Sequence, residues 1–252
     1  MDLHLKGKNA LITGGSRGIG FSTAEALAQE GCNVALCARD QASVDSAVAR
    51  VAAHGVKAFG RSVDVADADA LASWVDDAAE ELTGVDIVIA NVSALGSGEG
   101  EEQWKRAVDI DLMHTVRLVD TALPYLKESD AASIILVSSV SARRPFGATA
   151  YGTLKAALNH YGKGLAVEHA RSGIRANVVS PGTIYIEDGF WGNIERNNPT
   201  MFERSLKSNP MGRMGTPEEV ARSIVFLASP ASSFTTGTNL LVDGAITPGV
   251  QT

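Results

Sequence analysis

The feature that most constrains the fold is an alternation of two kinds of segment along the chain. Short apolar and β-branched runs, such as 9–13 and 133–137, predict strands buried on both faces. Between these runs lie stretches such as 18–29, in which apolar residues recur at helical spacing. Strand and helix alternate with short connections, which is typical of a parallel sheet covered by helices on both faces. We therefore predict an α/β fold with one doubly wound parallel sheet of about seven strands.

The same patterns give the remaining elements. The other predicted strands are 33–38, 56–63, 86–90, 174–179 and 240–242. The other predicted helices are 41–53, 69–82, 101–126, 148–171 and 217–228. Residues 183–212 do not follow the alternation of strand and helix patterns. Because no linker, repeat or low-complexity tract interrupts the pattern, we expect a single domain over residues 1–252.

Composition excludes several classes of function. The net charge is −7, which argues against a protein that works by neutralising nucleic-acid phosphates. The two cysteines, Cys32 and Cys37, are too few for a disulfide framework and have no neighbouring histidine cluster, so we predict buried thiols and no metal site. No segment resembles a signal peptide or a membrane span. We expect a cytoplasmic protein that acts without a membrane.

A glycine-rich turn joins the first predicted strand to the first helix, where residues 13–20 read Thr-Gly-Gly-Ser-Arg-Gly-Ile-Gly. Gly14 can turn the chain tightly, Gly18 lets the backbone approach a pyrophosphate, and Gly20 lets the helix pack against the sheet. The helix N-terminus supplies free N–H groups and partial positive charge for phosphates. The predicted dinucleotide contacts in this turn are Gly14, Ser16, Arg17, Gly18, Ile19 and Gly20.

Tyr151 and Lys155 stand one helical turn apart in the helix predicted over 148–171, so they share one face. With the glycine turn, Tyr-x-x-x-Lys resembles the short-chain dehydrogenase/reductase family, and the similarity extends over essentially the whole chain. Further matches to the family pattern are Asp64, Asn91, Ser138-Ser139, Ser180-Pro181-Gly182 and Val242-Asp243-Gly244. The resemblance implies a Rossmann fold and an oxidoreductase that moves hydride between a nicotinamide cofactor and a carbonyl or secondary alcohol.

The resemblance implies that Tyr151 is the general acid/base and that Lys155 tunes it. A free phenol titrates near pH 10, and a nearby ammonium lowers that pKa because it favours the phenolate. A serine should hydrogen-bond the substrate oxygen. Ser139 is the second serine of Val-Ser-Ser-Val, which is the position that matches the catalytic serine in the family motif. Ser138 instead has the family's usual spacing to the tyrosine. We favour Ser139 and keep Ser138 as the alternative.

Asp111 departs from the family pattern, because it occupies the position of an asparagine that helps to hold a water in a proton relay. A carboxylate can accept hydrogen bonds but lacks the amide donor, and it adds negative charge near Lys155. Two more departures flank the predicted cofactor site. Ser93 replaces a glycine after Asn91, and Ile186 replaces a threonine beyond Gly182.

The cofactor type depends on the residues after the second predicted strand. The family's ribose-selecting acid would stand at Ala38 and is missing, whereas Arg39 follows and Arg17 lies in the glycine turn. Two guanidinium groups suit a 2′-phosphate, so we predict NADP(H). The alternative is that Asp40 binds the ribose of NAD(H). The other predicted cofactor contacts are Asp64, Val65, Asn91, Tyr151, Lys155, Pro181, Gly182 and Ile184.

In the family, the segment corresponding to 183–212 covers the active site as a lid. Its aromatic residues favour a largely apolar substrate, or they pack the lid against the body. The family also commonly forms tetramers or dimers through the helices corresponding to 101–126 and 148–171, so we expect a homotetramer. A rival interpretation, supported by Asp111, is a family member that binds nucleotide in a structural or regulatory role with little catalysis.

Overall fold

A computed structural model describes residues 1–95, 100–145 and 147–249. Seven parallel strands form one sheet in the order β3-β2-β1-β4-β5-β6-β7. The predicted α/β fold with a doubly wound parallel sheet is confirmed. Within the described ranges, no helix combines the length and apolar character that crossing a membrane requires.

The strands are β1 (Asn9–Thr13), β2 (Asn33–Ala38), β3 (Ala58–Ser62), β4 (Ile87–Ala90), β5 (Ser133–Val137), β6 (Arg175–Pro181) and β7 (Asn239–Val242). The α-helices are α1 (Gly18–Gln29), α2 (Gln41–Ala52), α3 (Ala68–Leu82), α4 (Glu101–Ala107), α5 (His114–Leu126), α6 (Ala150–His169), α7 (Phe190–Asn197), α8 (Pro199–Ser208) and α9 (Pro217–Ala228). A π-helical segment, Val108–Met113, joins α4 to α5.

The strand order reverses direction at the centre of the sheet. β1 pairs with β2 on one side and with β4 on the other, and all three strands are parallel. The chain therefore leaves the carboxyl ends of β1 and β4 toward opposite faces of the sheet. A crevice at such a reversal is where doubly wound sheets bind their ligands.

Two separate hydrophobic cores hold the helices against the sheet. On one face, Trp74 of α3, Leu118 of α5 and Leu165 of α6 pack against the strands. On the other face, Leu27 of α1 and Ile224 of α9 do the same. The strands supply side chains to both cores, which explains why they are apolar throughout rather than alternating.

The structure differs from the predicted elements in two places. The single helix expected over 101–126 is divided into α4 and α5 by the π-helical segment. The wider turn of this segment changes the spacing of the apolar residues too little to be recognised in the sequence. Residues 183–212, which showed no pattern, contain the short helices α7 and α8. These helices are mostly exposed, and their amphipathic period is too brief to stand out in the sequence.

Arg175 is a buried cation that fixes the end of α9. It begins β6 and is 9% exposed. Its guanidinium donates to the carbonyls of Leu227 at 2.6 Å, Ala228 at 3.0 Å and Ser229 at 3.0 Å. These carbonyls belong to the last turn of α9, which lacks intrahelical partners and carries partial negative charge. The side chain therefore caps this helix and attaches it to the sheet.

We expect Arg175→Met to lower the free energy of unfolding by about 2–4 kcal/mol, because the charge-assisted hydrogen bonds to three carbonyls are lost and the Ala228 carbonyl keeps no other donor among the described residues. Urea denaturation followed by circular dichroism measures this loss. Arg171→Met is the matched control, since Arg171 is exposed, and it should change stability by less than about 0.5 kcal/mol. Equal losses in the two variants would contradict the capping role.

Candidate active site

The glycine-rich turn connects β1 to α1 at the reversal of the sheet. Gly14 and Gly18 have φ angles of +68° and +55°, which side-chain-bearing residues rarely adopt. A Cβ atom on Gly20 would lie 2.2 Å from the carbonyl oxygen of Gly14. The first turn of α1 therefore sits directly against the backbone of the glycine turn, and only glycine allows that approach.

Asn91, which follows β4, braces this turn from the neighbouring strand. Its side-chain amide donates to the carbonyls of Thr13 and Gly14, each at 3.2 Å. Its backbone N–H donates to Thr13 Oγ1, also at 3.2 Å. The Asn91 side chain thus fixes the shape of the glycine turn, a task that the sequence pattern did not indicate.

The N-terminus of α1 is open to an anion. Arg17 occupies the N-cap position without a side-chain cap, and the first turn contains no acidic residue. Ser16, Gly18 and Ile19 border this end and are all partly accessible. Uncapped N–H groups at a helix start bind phosphate oxygens, so this turn fits the pyrophosphate of a dinucleotide.

Two arginines and one carboxylate follow the carboxyl ends of β1 and β2. Arg17 and Arg39 are both exposed, and Arg39 directly follows β2. Asp40 is the N-cap of α2, and its Oδ1 accepts a hydrogen bond from the backbone N–H of Ser43 at 2.8 Å. The carboxylate of Asp40 is therefore engaged by its own helix.

The other predicted cofactor contacts lie at the same edge of the sheet. Asp64 is exposed and Val65 is buried just after β3. Pro181 ends β6, and the N–H of Gly182 donates to the Val242 carbonyl at 3.0 Å. Ile184 is 9% exposed and forms a β-bridge with Gly215. The hydroxyl of Thr183 is buried and has no hydrogen-bond partner among the described residues, so it is available to a bound polar group.

Tyr151 and Ser139 meet at the start of α6. The Ser139 side chain lies beside the Tyr151 phenol, whose pKa it lowers, and its hydroxyl accepts a hydrogen bond from the backbone N–H of Ser141 at 3.1 Å. Ser138 lies on the other side of the chain, where its hydroxyl donates to the backbone carbonyl of Lys155 at 2.9 Å. The two serines therefore have different surroundings, and Ser139 is the one beside the phenol.

Lys155 is 2% exposed and needs compensation for its charge. Its Nζ donates to the Val137 carbonyl at 3.1 Å and lies 3.5 Å from Asp111 Oδ1. The other carboxylate oxygen of Asp111 accepts from the backbone N–H of Ala94 at 3.2 Å. Asp111 belongs to the π-helical segment, where the widened turn carries it at 0% exposure.

The pKa of Tyr151 departs from the expectation that Lys155 lowers it. Burial of the ring raises this pKa above the ordinary value, the hydrogen bond from Ser139 lowers it, and the negative charge of Asp111 raises it. Burial also lowers the pKa of Lys155, partly offset by Asp111. In the protein alone, the ammonium is paired with a carboxylate, so its influence on the phenol is reduced.

His114 is a buried residue of this site that sequence reasoning missed. Its Nδ1 donates to the Ile110 carbonyl, and its Nε2 lies 3.5 Å from Thr13 Oγ1. Burial, together with the positive charge of Lys155, lowers the pKa of His114 to about 3, so the ring is neutral near pH 7. The only feature of the sequence that could have assigned His114 to this site is its position one helical turn beyond Asp111.

The segment 183–212 follows β6 and returns toward the glycine turn. A Cβ on Gly18 would lie 2.9 Å from Ile186 Cδ1, so Ile186 contacts the turn directly. Tyr185 packs edge-on against Phe202, with ring centroids 6.0 Å apart. Phe190 packs against Trp191 at 5.2 Å. These aromatic pairs favour packing within the segment over an apolar lining for a substrate.

Known proteins resemble this chain over almost its full length. A protein-family model described as "Enoyl-(Acyl carrier protein) reductase" matches residues 14–247. Isoepoxydon dehydrogenase patN of Penicillium expansum is 40% identical, over 98% of this chain and 97% of that protein.

Solved structures share the fold. L-Sorbose reductase from Gluconobacter frateurii, complexed with NADPH and L-sorbose, has a TM-score of 0.91 and 30% identity, with 99% of this chain and 100% of that chain covered. An NAD⁺-bound xylitol dehydrogenase has a TM-score of 0.88 and 26% identity, with 96% and 99% covered. The chain belongs to the short-chain dehydrogenase/reductase family, whose members bind a nicotinamide cofactor and act on alcohols or carbonyls.

Proposed function

We propose that this protein is an NADP(H)-dependent oxidoreductase that interconverts a carbonyl compound and a secondary alcohol. The observation that carries the proposal is the placement of the Tyr151 phenol beside the Ser139 hydroxyl and one helical turn from the buried Lys155. These groups lie at the edge of the sheet where the open N-terminus of α1 fits a dinucleotide pyrophosphate.

A bound nicotinamide would supply or accept the hydride. In the reductive direction, Tyr151 donates its phenolic proton to the substrate oxygen as the carbon gains hydride. In the oxidative direction, the phenolate takes the hydroxyl proton back. Ser139 donates a hydrogen bond to the same oxygen and stabilises its developing charge. Lys155 and Tyr151 would hold the ribose next to the nicotinamide.

The preference for NADP(H) rests on charge. Arg17 and Arg39 are exposed near the end of β2, where a 2′-phosphate would lie, and Ala38 cannot repel it. Asp40, the residue that would favour NAD(H), is engaged in capping α2. The NADPH complex of the similar L-sorbose reductase supports the same choice, whereas the NAD⁺-bound xylitol dehydrogenase keeps the alternative open to test.

We further propose that residues 183–212 act as a lid over the substrate. The segment leaves the carboxyl end of β6, and Ile186 touches the glycine turn at Gly18. The relatives named for isoepoxydon and L-sorbose support a small-molecule alcohol or carbonyl as the substrate.

A nucleotide-binding protein without useful catalysis remains the rival function, and Asp111 is the observation that favours it. The buried carboxylate replaces the amide of the family pattern and pairs with Lys155 at 3.5 Å. The placement of Ser139 beside Tyr151 supports the enzyme instead, since cofactor binding alone has no need of it.

Tyr151→Phe should lower kcat by about 100-fold or more because it removes the proton donor, and it should weaken cofactor binding far less, because the phenol is one of several proposed contacts to the cofactor. Ser139→Ala should lower kcat by about 100-fold, since the substrate oxygen loses a donor. Steady-state oxidation of NADPH with a panel of ketones, aldehydes and 3-oxoacyl thioesters measures both effects.

Ser138→Ala is the matched control, because its hydroxyl contacts only the backbone of α6 among the described residues. It should keep most of the activity and lose about 1 kcal/mol of stability. A loss of turnover in Ser138→Ala, with Ser139→Ala active, would reverse the assignment. Cofactor binding with no turnover on any substrate would favour the rival function.

NADPH should be preferred over NADH in kcat/KM by about tenfold or more, because a charge-assisted contact to the 2′-phosphate contributes at least about 1.5 kcal/mol. Arg39→Ala should remove most of this preference by weakening NADPH alone. Arg171→Ala, at an exposed site on the opposite edge of the sheet, should leave both values unchanged. A preference for NADH would reject the assignment.

We also propose a cytoplasmic homotetramer, or a dimer, formed through α5 and α6. The buried free thiols of Cys32 and Cys37 support a reducing compartment. Gly162 faces the sheet, where a Cβ would meet Val178 at 2.6 Å, but Gly164 meets no described atom within 4 Å. Val167, one turn further, is 74% exposed. Gly164 and Val167 therefore leave an accessible face on which a second copy can pack.

Sedimentation equilibrium should give a mass four times the chain mass of 26.3 kDa for the tetramer, or twice that mass for the dimer. Val167→Asp should shift the distribution toward smaller species, because it places a charge in the proposed interface. A monomeric wild-type protein would refute the assembly.

A further inference from the structure

Asp111 carries a full negative charge at a position where the family pattern has a neutral amide. Its Oδ1 lies 3.5 Å from Lys155 Nζ, and the two side chains are 0% and 2% exposed. Its Oδ2 accepts from the Ala94 N–H at 3.2 Å. Charges in such a poorly solvated place interact strongly, because little water screens them. This ion pair therefore influences whatever binds over Tyr151.

Four parts of the fold contribute the titratable and polar groups around the Tyr151–Lys155 pair. Helix α6 contributes the ammonium of Lys155, and the π-helical segment contributes the carboxylate of Asp111. Helix α5 contributes His114, which is neutral near pH 7 because burial lowers its pKa to about 3. The residues after β5 contribute the hydroxyls of Ser138 and Ser139. Lys155 and Asp111 thus cancel, whereas an amide at position 111 would leave one uncompensated positive charge.

We propose that Asp111 is a positioning residue that cancels the charge of Lys155. With this carboxylate, the protein binds the oxidised cofactor more tightly, relative to the reduced cofactor, than it would with an amide at position 111. The nicotinamide ring is a cation when oxidised and neutral when reduced. An uncompensated ammonium repels only the cationic form, and the carboxylate removes that repulsion. The inference rests on the proposed function, because it requires the nicotinamide to lie at the Tyr151–Lys155 face.

A second consequence concerns the pH at which alcohol oxidation begins. The reaction needs the Tyr151 phenolate, and the negative charge of Asp111 raises the pKa of this phenol. Replacing the carboxylate by an amide removes that contribution, and it also removes the effect by which Asp111 raises the pKa of Lys155. The rise of kcat with pH should therefore shift to lower pH in the amide variant, an effect that simple loss of packing would not produce.

Asp111→Asn is the direct test, since asparagine has nearly the same size and its carbonyl can still accept from Ala94. Fluorescence titration at neutral pH gives Kd for NADP⁺ and for NADPH. We expect the ratio of the oxidised to the reduced Kd to rise about fivefold or more in the variant. Asp109→Asn is the matched control. It removes the same charge two residues away, where Asp109 pairs with Arg117 at 3.3 Å, and should leave the ratio unchanged.

The outcomes separate the inference from the proposed function. If both cofactors bind to Asp111→Asn with the wild-type ratio, the inference is wrong and the proposed function stands. If the wild-type protein binds neither cofactor, the proposed function fails. Should Asp111→Asn not fold, as judged by circular dichroism, Asp111→Gln and Asp111→Glu replace it as a pair of equal size. The ratio must then be higher for the Gln variant than for the Glu variant, and equal ratios overturn the inference.

Discussion

The buried ammonium of Lys155 is the group on which the rest of the site depends. A charge that is 2% exposed is stable only where other groups compensate for lost water. Two elements supply that compensation: the carbonyl of Val137 comes from β5 and the carboxylate of Asp111 from the π-helical segment. Ser138 fixes helix α6 separately, by donating to the backbone carbonyl of Lys155. The position of Tyr151 follows, because it lies one turn earlier on the same helix.

The cofactor side of the crevice depends on a second set of contacts, made of backbone rather than charge. Gly20 allows α1 to begin against the Gly14 carbonyl, and Asn91 holds that carbonyl from β4. Thr13 links the two sides, since its hydroxyl accepts from Asn91 N–H and lies 3.5 Å from His114. His114 is three residues beyond Asp111. The positive charge of Lys155 also lowers the pKa of His114, so His114 lies between the glycine turn and the Lys155–Asp111 ion pair.

Much of this arrangement could be predicted from the sequence. Local alternation of strand and helix was enough for the parallel sheet, and the glycine turn, Tyr151 and Lys155 form patterns that are short and strongly spaced. The π-helical segment could not be predicted, because one extra residue in a turn hardly changes the apolar periodicity. The pKa direction of Tyr151 was also out of reach. It depends on burial and on a carboxylate that comes from another element of the fold. Arg175 and His114 likewise show their roles only through partners that are distant in sequence or made of backbone.

The most direct test of this site is a crystal structure of the protein with bound NADPH. We predict that the pyrophosphate lies on the N–H groups at the start of α1, with the 2′-phosphate between Arg17 and Arg39. We also predict that the nicotinamide ribose contacts Tyr151 and Lys155. A cofactor bound elsewhere, or a nicotinamide that lies away from the phenol of Tyr151, would contradict these predictions.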